Sequence, residues 1–190
     1  HTKSPYRVQP ECEHFGVCGG CKWQDMSYDA QLKFKHDEVV NNLVRIGGFK
    51  DIDAEIVPIL GSKEQYFYRN KLEFTFSDRV WLTREQIDSG EIFDKNALGF
   101  HAAGSFSSVL QINTCFLQDE KVNDIRNAVY IFCIEHQYSF YNLKYHEGLM
   151  RNLIFRNTTL NEWMVTVCFA ENDMEKIVSL MNFIKDNFSY

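Results

Sequence analysis

Apolar side chains recur at three- and four-residue spacing in three stretches of this sequence and at every second position in others, so both periods of regular structure are present. Leu32, Val39, Val40, Leu43 and Ile46 form one stripe that predicts a helix over residues 27–46, stopped by Gly47 and Gly48. Val122, Ile125, Val129 and Phe132 predict a second helix ending near His136. Ile177, Leu180, Ile184 and Phe188 predict a third, which opens at Asn172 with Glu175 three residues on as a capping-box partner. Between the helices the period changes to two. Residues 66–77 set Leu72, Phe74 and Phe76 on one face and Lys71, Glu73 and Thr75 on the other, the pattern of a half-buried strand.

Residues 98–101 and 109–112 read as short strands around a Gly104-Ser105 turn. Residues 149–157 and 163–169 predict a hairpin closed by Thr158-Thr159-Leu160-Asn161. Residues 55–60, interrupted by Pro58, suit an edge strand or an entry segment. Residues 84–96 are charged and loop-like, and residues 1–11 form an extended tail. Strands adjacent in sequence without a regular βαβ rhythm predict an α+β fold: a mainly antiparallel sheet with flanking helices, plus an N-terminal cysteine-rich loop. The expected division is a tail and loop over residues 1–25 and an α+β domain over residues 26–190.

Composition narrows the class. Of 190 residues 45% are apolar, with 16 Phe and 9 Tyr, enough for a sizeable core. No apolar run reaches the length of a membrane span, and the start lacks the apolar segment of a secretory signal. The absence of Met at His1 and the stop at Tyr190, directly after the last helix, are what a piece of a longer protein would show. A net charge of −6 counts against gripping nucleic acid with the whole surface, yet leaves room for a local basic face.

Six cysteines stand at 12, 18, 21, 115, 133 and 168. A secreted disulfide framework would be denser, so the cytoplasm with clustered thiols held for a metal is the better reading. Cys12-x5-Cys18-x2-Cys21, with glycines at 16, 19 and 20, lets soft thiolates point at one centre while backbone amides face the sulfurs. A structural zinc or an iron–sulfur cluster asks for four ligands. Cys115, in Asn113-Thr114-Cys115-Phe116 just after a short strand, is the best fourth. His14 would instead complete a Cys3His zinc site, and spacing does not decide between the metals. Cys133 and Cys168 sit at apolar periodicity and read as small buried hydrophobes. A zinc-stabilised RNA- or protein-binding module is therefore one reading of the cysteines. A ferredoxin-like electron carrier fits worse, because it would repeat its cysteine sets.

Pro10-Glu11-Cys12 followed by Cys18-Gly19-Gly20-Cys21-Lys22-Trp23-Gln24 resembles the cluster loop of the 23S rRNA (uracil-5-)-methyltransferase family. Tyr68-Arg69-Asn70-Lys71-Leu72-Glu73-Phe74 is similar to that family's Tyr-Arg-basic strand. Gly99-Phe100-His101 through Cys115 is similar to the segment leading to its fourth cysteine, although His101 stands where relatives often carry Arg. His146-Glu147-Gly148-Leu149-Met150-Arg151-Asn152-Leu153 matches a later segment, and the matches keep family order over nearly all of the chain.

The resemblance implies a [4Fe–4S] cluster on Cys12, Cys18, Cys21 and Cys115. Arg69 and Lys71, at the start of an alternating strand, are the first choices for RNA contact, and Arg151 and Arg156, near Lys144, His146 and Asn152, the second. The resemblance also implies an oligonucleotide-binding barrel (TRAM/OB type) upstream and a domain binding S-adenosyl-L-methionine downstream, leaving this chain catalytically incomplete. None of the six cysteines has the context of the family's nucleophile, which attacks C6 of an unstacked uracil so that C5 accepts the methyl group. The implied partner is 23S-type ribosomal RNA ahead of tRNA, the implied state a cytoplasmic monomer without a membrane. Trp23 and Phe100 are the two aromatics kept as possible RNA contacts, with Trp23 better read as a cover over the cluster.

Overall fold

In the computed structural model, which describes residues 3–50 and 52–188, the chain forms a five-stranded antiparallel sheet with helices packed on one face. The elements run α1 (Tyr28–Arg45), a 3-10 turn (Ile52–Glu55), β1 (Lys71–Ser77), α2 (Arg84–Asp88), β2 (Ala97–His101), β3 (Val109–Gln111), α3 (Lys121–Glu135), β4 (Met150–Asn157), β5 (Trp163–Phe169) and α4 (Met174–Asn187). The ends at His1 and Tyr190 lie outside the described residues. The strand order is β3-β2-β1-β4-β5, so the most regularly alternating strand is central.

β1 pairs with β4 in a register that sets Leu72 opposite Phe155 and Phe74 opposite Leu153. Those four residues are buried and face α3 and α4, which contribute Val122, Ile125, Val129, Phe132, Leu180 and Ile184 to the same core. Phe132 stacks on Phe183 of α4 with ring centroids 4.5 Å apart, and Phe74 meets Phe155 edge to face. At the other end of the sheet β2 and β3 approach closely. A Cβ on Gly99 would lie 2.1 Å from the Leu110 carbonyl oxygen, so only glycine fits there. Among the described residues no helix is long and apolar enough to cross a membrane.

Several expectations need correction. Residues 55–60 form no strand; the chain makes its 3-10 turn and then runs irregularly through Pro58, which cannot donate to a ladder. The strand expected from residue 66 begins only at Lys71, because Phe67 takes φ +56°. Its amide and that of Arg69 bond instead to the carbonyls of Phe116 and Leu117. The loop-like stretch 84–96 contains α2, closed by a reciprocal capping box between Thr83 and Gln86. α4 starts one residue later than expected, with Asp173 rather than Asn172 as its cap, accepting the Lys176 amide. α1 has the expected span, but Ala30 is its one buried residue, and Val39 and Ile46 of its predicted stripe are 50% and 83% exposed.

Candidate functional site

The loop over residues 12–21 is shaped by short-range hydrogen bonds. The Phe15 amide bonds to the Cys12 carbonyl at 3.1 Å and the Cys18 amide to the His14 carbonyl at 2.9 Å, while Gly16 takes φ +91°. This winds the loop so that its thiols face one way. The loop then docks on the end of the β2–β3 hairpin. Cys18 bridges to Ala102, the Gly19 amide bonds to the His101 carbonyl at 3.2 Å, and the Ala103 amide bonds to the Val17 carbonyl at 2.9 Å. Four residues past β3 the chain presents Cys115 to the same place.

Cys12, Cys18, Cys21 and Cys115 therefore line one enclosed, almost wholly apolar cavity, walled by Phe15, Phe100, Ile112, Phe116 and Leu117. Burial pushes the Cys12 and Cys18 thiols up, and each is raised further by neighbouring thiols. Cys115 is pushed up to about 11 by burial, its rise increased by Cys21 and Cys12 and reduced by Arg126. Among the described residues no group of three or more His, Cys, Asp or Glu side chains is arranged to hold a single metal ion.

His14 also borders the cavity, but its Nε2 accepts the Asn113 amide at 3.2 Å, and burial favours the neutral ring. That nitrogen is therefore engaged, and its 3.2 Å approach to Glu13 is not an ion pair of a charged imidazolium. Cys133 is wholly buried in α3, as expected, and burial pushes its thiol up to about 12. Cys168 is only half-buried. β5 is not buried on both faces, and Cys168 shares the outer one with Met164 and Thr166.

Two residues that the sequence reading passed over hold the turn carrying Cys115. Asn123 Oδ1 accepts the Cys115 amide at 2.8 Å, and its Nδ2 donates to the Cys115 carbonyl at 3.2 Å. Arg126, one turn on in α3, donates to Asn123 Oδ1 at 2.9 Å and to the Asn113 carbonyl at 2.6 Å. The available signal was positional, since both polar residues interrupt the apolar side of α3 and both are buried.

Trp23 is 41% exposed, lies under the Lys35 ammonium at 5.3 Å, and borders an open groove rather than the thiol cavity. Phe100 is partly buried, walls the cavity and packs on Phe74 with centroids 4.7 Å apart. Of the four basic residues, Lys71 and Arg156 stand directly opposite each other on β1 and β4, both exposed, with Lys71 also 3.3 Å from Glu73. Arg69 lies exposed two residues before β1. Arg151 lies apart, at the bulge that begins β4, with its guanidinium 5.0 Å over the Tyr141 ring.

No protein-family profile matches the chain. Among curated proteins it is 48% identical over 192 residues to an uncharacterized RNA methyltransferase of Bacteroides thetaiotaomicron, covering 99% of this chain and 42% of that protein. It is 41% identical to another from Porphyromonas gingivalis, covering 98% of the chain and 41% of the relative. A third, from Chlorobaculum tepidum, is 43% identical, with coverages of 85% and 34%. Among solved structures, the tRNA (uracil-54, C5)-methyltransferase of Pyrococcus abyssi in complex with S-adenosyl-L-homocysteine superposes with a TM-score of 0.62 at 24% identity. That match covers 93% of this chain and 35% of the other, and it shows a shared fold. The chain spans about two fifths of the length of the first two of these relatives.

Proposed function

This chain belongs to the RNA methyltransferase family, and we propose that it is the iron–sulfur and RNA-contacting part of an enzyme that methylates C5 of a uridine. The single observation that carries the proposal is the convergence of Cys12, Cys18, Cys21 and Cys115 on one enclosed cavity. The donor set fits a [4Fe–4S] centre: four thiols, an apolar wall, and the Gly20 amide 3.4 Å from the Cys18 sulfur. When bound, the cluster would supply four iron–thiolate bonds that tie the loop to the hairpin.

The division of labour follows. Residues 1–25 would carry most of the ligands, and residues 26–190 would carry the RNA-facing sheet. Methyl transfer from S-adenosyl-L-methionine, with its cysteine nucleophile and general base, would fall to a part of the full-length protein outside this chain. The neighbour's bound S-adenosyl-L-homocysteine supports that cofactor. Arg69, Lys71 and Arg156 would hold phosphates of folded RNA, with Arg151 further along β4. We assign the substrate to 23S-type ribosomal RNA in the cytoplasm, acted on by a monomer; the neighbour acts on tRNA.

The test is iron and acid-labile sulfide analysis of the full-length protein purified without oxygen. Brown protein containing both is expected, lost in Cys21→Ser and Cys115→Ser and kept in Cys168→Ser. Zinc without sulfide would overturn the cluster and favour a zinc-stabilised binding module. Mass spectrometry of ribosomal RNA and tRNA from a deletion strain then decides the substrate, through the loss of 5-methyluridine from one of them.

A further inference from the structure

Arg126 is 0% exposed, and among the described residues no carboxylate lies within ion-pair distance of it. Its hydrogen bonds go to neutral oxygens: Asn123 Oδ1, the Asn113 carbonyl, and Asn127 Oδ1 at 3.0 Å. Its Nε is buried with no partner, and its guanidinium lies 5.0 Å from the Phe74 ring centre. Amide oxygens and an aromatic face offset only part of the cost of an unpaired buried cation, which is several kcal/mol. An arrangement of this kind is stable when something anionic completes it. The anion that can form nearby is at Cys115, whose backbone is held by Asn123, the residue to which Arg126 donates.

We propose that Arg126 is the buried counter-charge of an anionic four-thiolate centre on Cys12, Cys18, Cys21 and Cys115, and that it sets that centre's electron affinity. The inference rests on the iron–sulfur reading above. With all four thiols protonated, the surroundings of Arg126 hold no negative charge. With four thiolates on a cluster the net charge is negative, and Arg126, joined to Cys115 through Asn123, gains the counter-charge its position lacks. The same field disfavours a Cys3His centre, which carries one thiolate fewer. It also favours the reduced cluster over the oxidised one, because reduction adds an electron beside the cation. Arg126 is a positioning residue, acting through Cys115 and the charge of the site rather than on RNA.

The experiment is a redox titration of the full-length, anaerobically reconstituted protein, followed by visible absorbance. Four variants are needed. Arg126→Gln removes the charge and keeps polar contacts; Arg126→Lys keeps a charge. Asn127→Ala removes a hydrogen bond to Asn113 and keeps Arg126, and Asn127→Asp sets a carboxylate against the guanidinium without touching it.

At the wild-type midpoint potential, Arg126→Gln and Asn127→Asp should each lower the ratio of reduced to oxidised cluster on the order of tenfold. That is the size of one unit charge at roughly 12 Å in an effective dielectric of about 20. Arg126→Lys and Asn127→Ala should stay close to wild type. If Arg126→Gln fails to fold, Asn127→Asp still decides. An unmoved potential in Asn127→Asp, or a shift in Asn127→Ala as large as its own, would overturn the role of Arg126 alone. Wild-type protein holding zinc and no sulfide would overturn the cluster reading and this inference together.

Discussion

Replacing Asn123 with Ala removes one small side chain, leaves two buried backbone groups without partners and takes one hydrogen bond from Arg126. The Cys115 amide loses the oxygen it meets at 2.8 Å, the Cys115 carbonyl loses the donor at 3.2 Å, and Arg126 loses its contact at 2.9 Å. Cys115 is 7% exposed and Arg126 is 0% exposed, so water does not readily replace what is lost. A buried unsatisfied group costs about 1–3 kcal/mol, more when charged. The three share one site and are not additive, so the expected destabilisation is about 3–5 kcal/mol. Urea unfolding of the metal-free chain, followed by far-UV circular dichroism, measures it as a fall in midpoint at constant slope. Asn123→Asp keeps both acceptor contacts and sets a carboxylate beside Arg126, so it should cost less than Asn123→Ala. The reasoning fails if Asn123→Ala costs under about 1 kcal/mol, the range of an ordinary surface change.

Two further outcomes follow from the same geometry. Lys71→Ala and Arg156→Ala should each weaken RNA binding by the full-length protein at low salt and reduce the slope of log affinity against log salt by about 0.7–0.9; a nitrocellulose-filter salt series showing an unchanged slope in both would remove them from the RNA surface. In alkali, unfolded cysteines lose their protons near 9, whereas Cys133 holds its proton to about 12 and Cys115 to about 11. The unfolded state then binds fewer protons, so stability is full below pH about 9 and falls as pH rises through the folded values. Urea midpoints of the metal-free chain should drop across that window, and less so in Cys133→Ala; parallel curves for the two proteins would contradict the assignment.

What could be read from residues alone follows a physical boundary. β1, β4 and β5 were legible because alternation at period two survives whatever packs against it. The β4–β5 hairpin followed from its turn residues, and the helical stripes followed from their period. The convergence of Cys115 with the first three thiols was expected from its place after a short strand, and the cavity agrees. Burial was less legible, since it depends on neighbours. Val39 and Ile46 have the period of a core face and are exposed, because nothing within the described residues covers them. Cys168 and Phe100 could not be placed, since choosing between the two faces of a strand needs its register. Asn123 and Arg126 were hidden for a related reason: a polar side chain on an apolar stripe gains meaning only when the turn it reaches is known.

The dependence of the thiol cavity on the β2–β3 hairpin has a consequence for the order of synthesis. Cys12, Cys18 and Cys21 leave the ribosome long before Cys115, by roughly 5 to 20 seconds at ordinary elongation rates. Until the hairpin is made there is no Ala102 for Cys18 to bridge and no Phe100 to shield the sulfurs. The nascent loop therefore meets solvent with three bare thiols, the state most open to oxidation and to capture by stray metals.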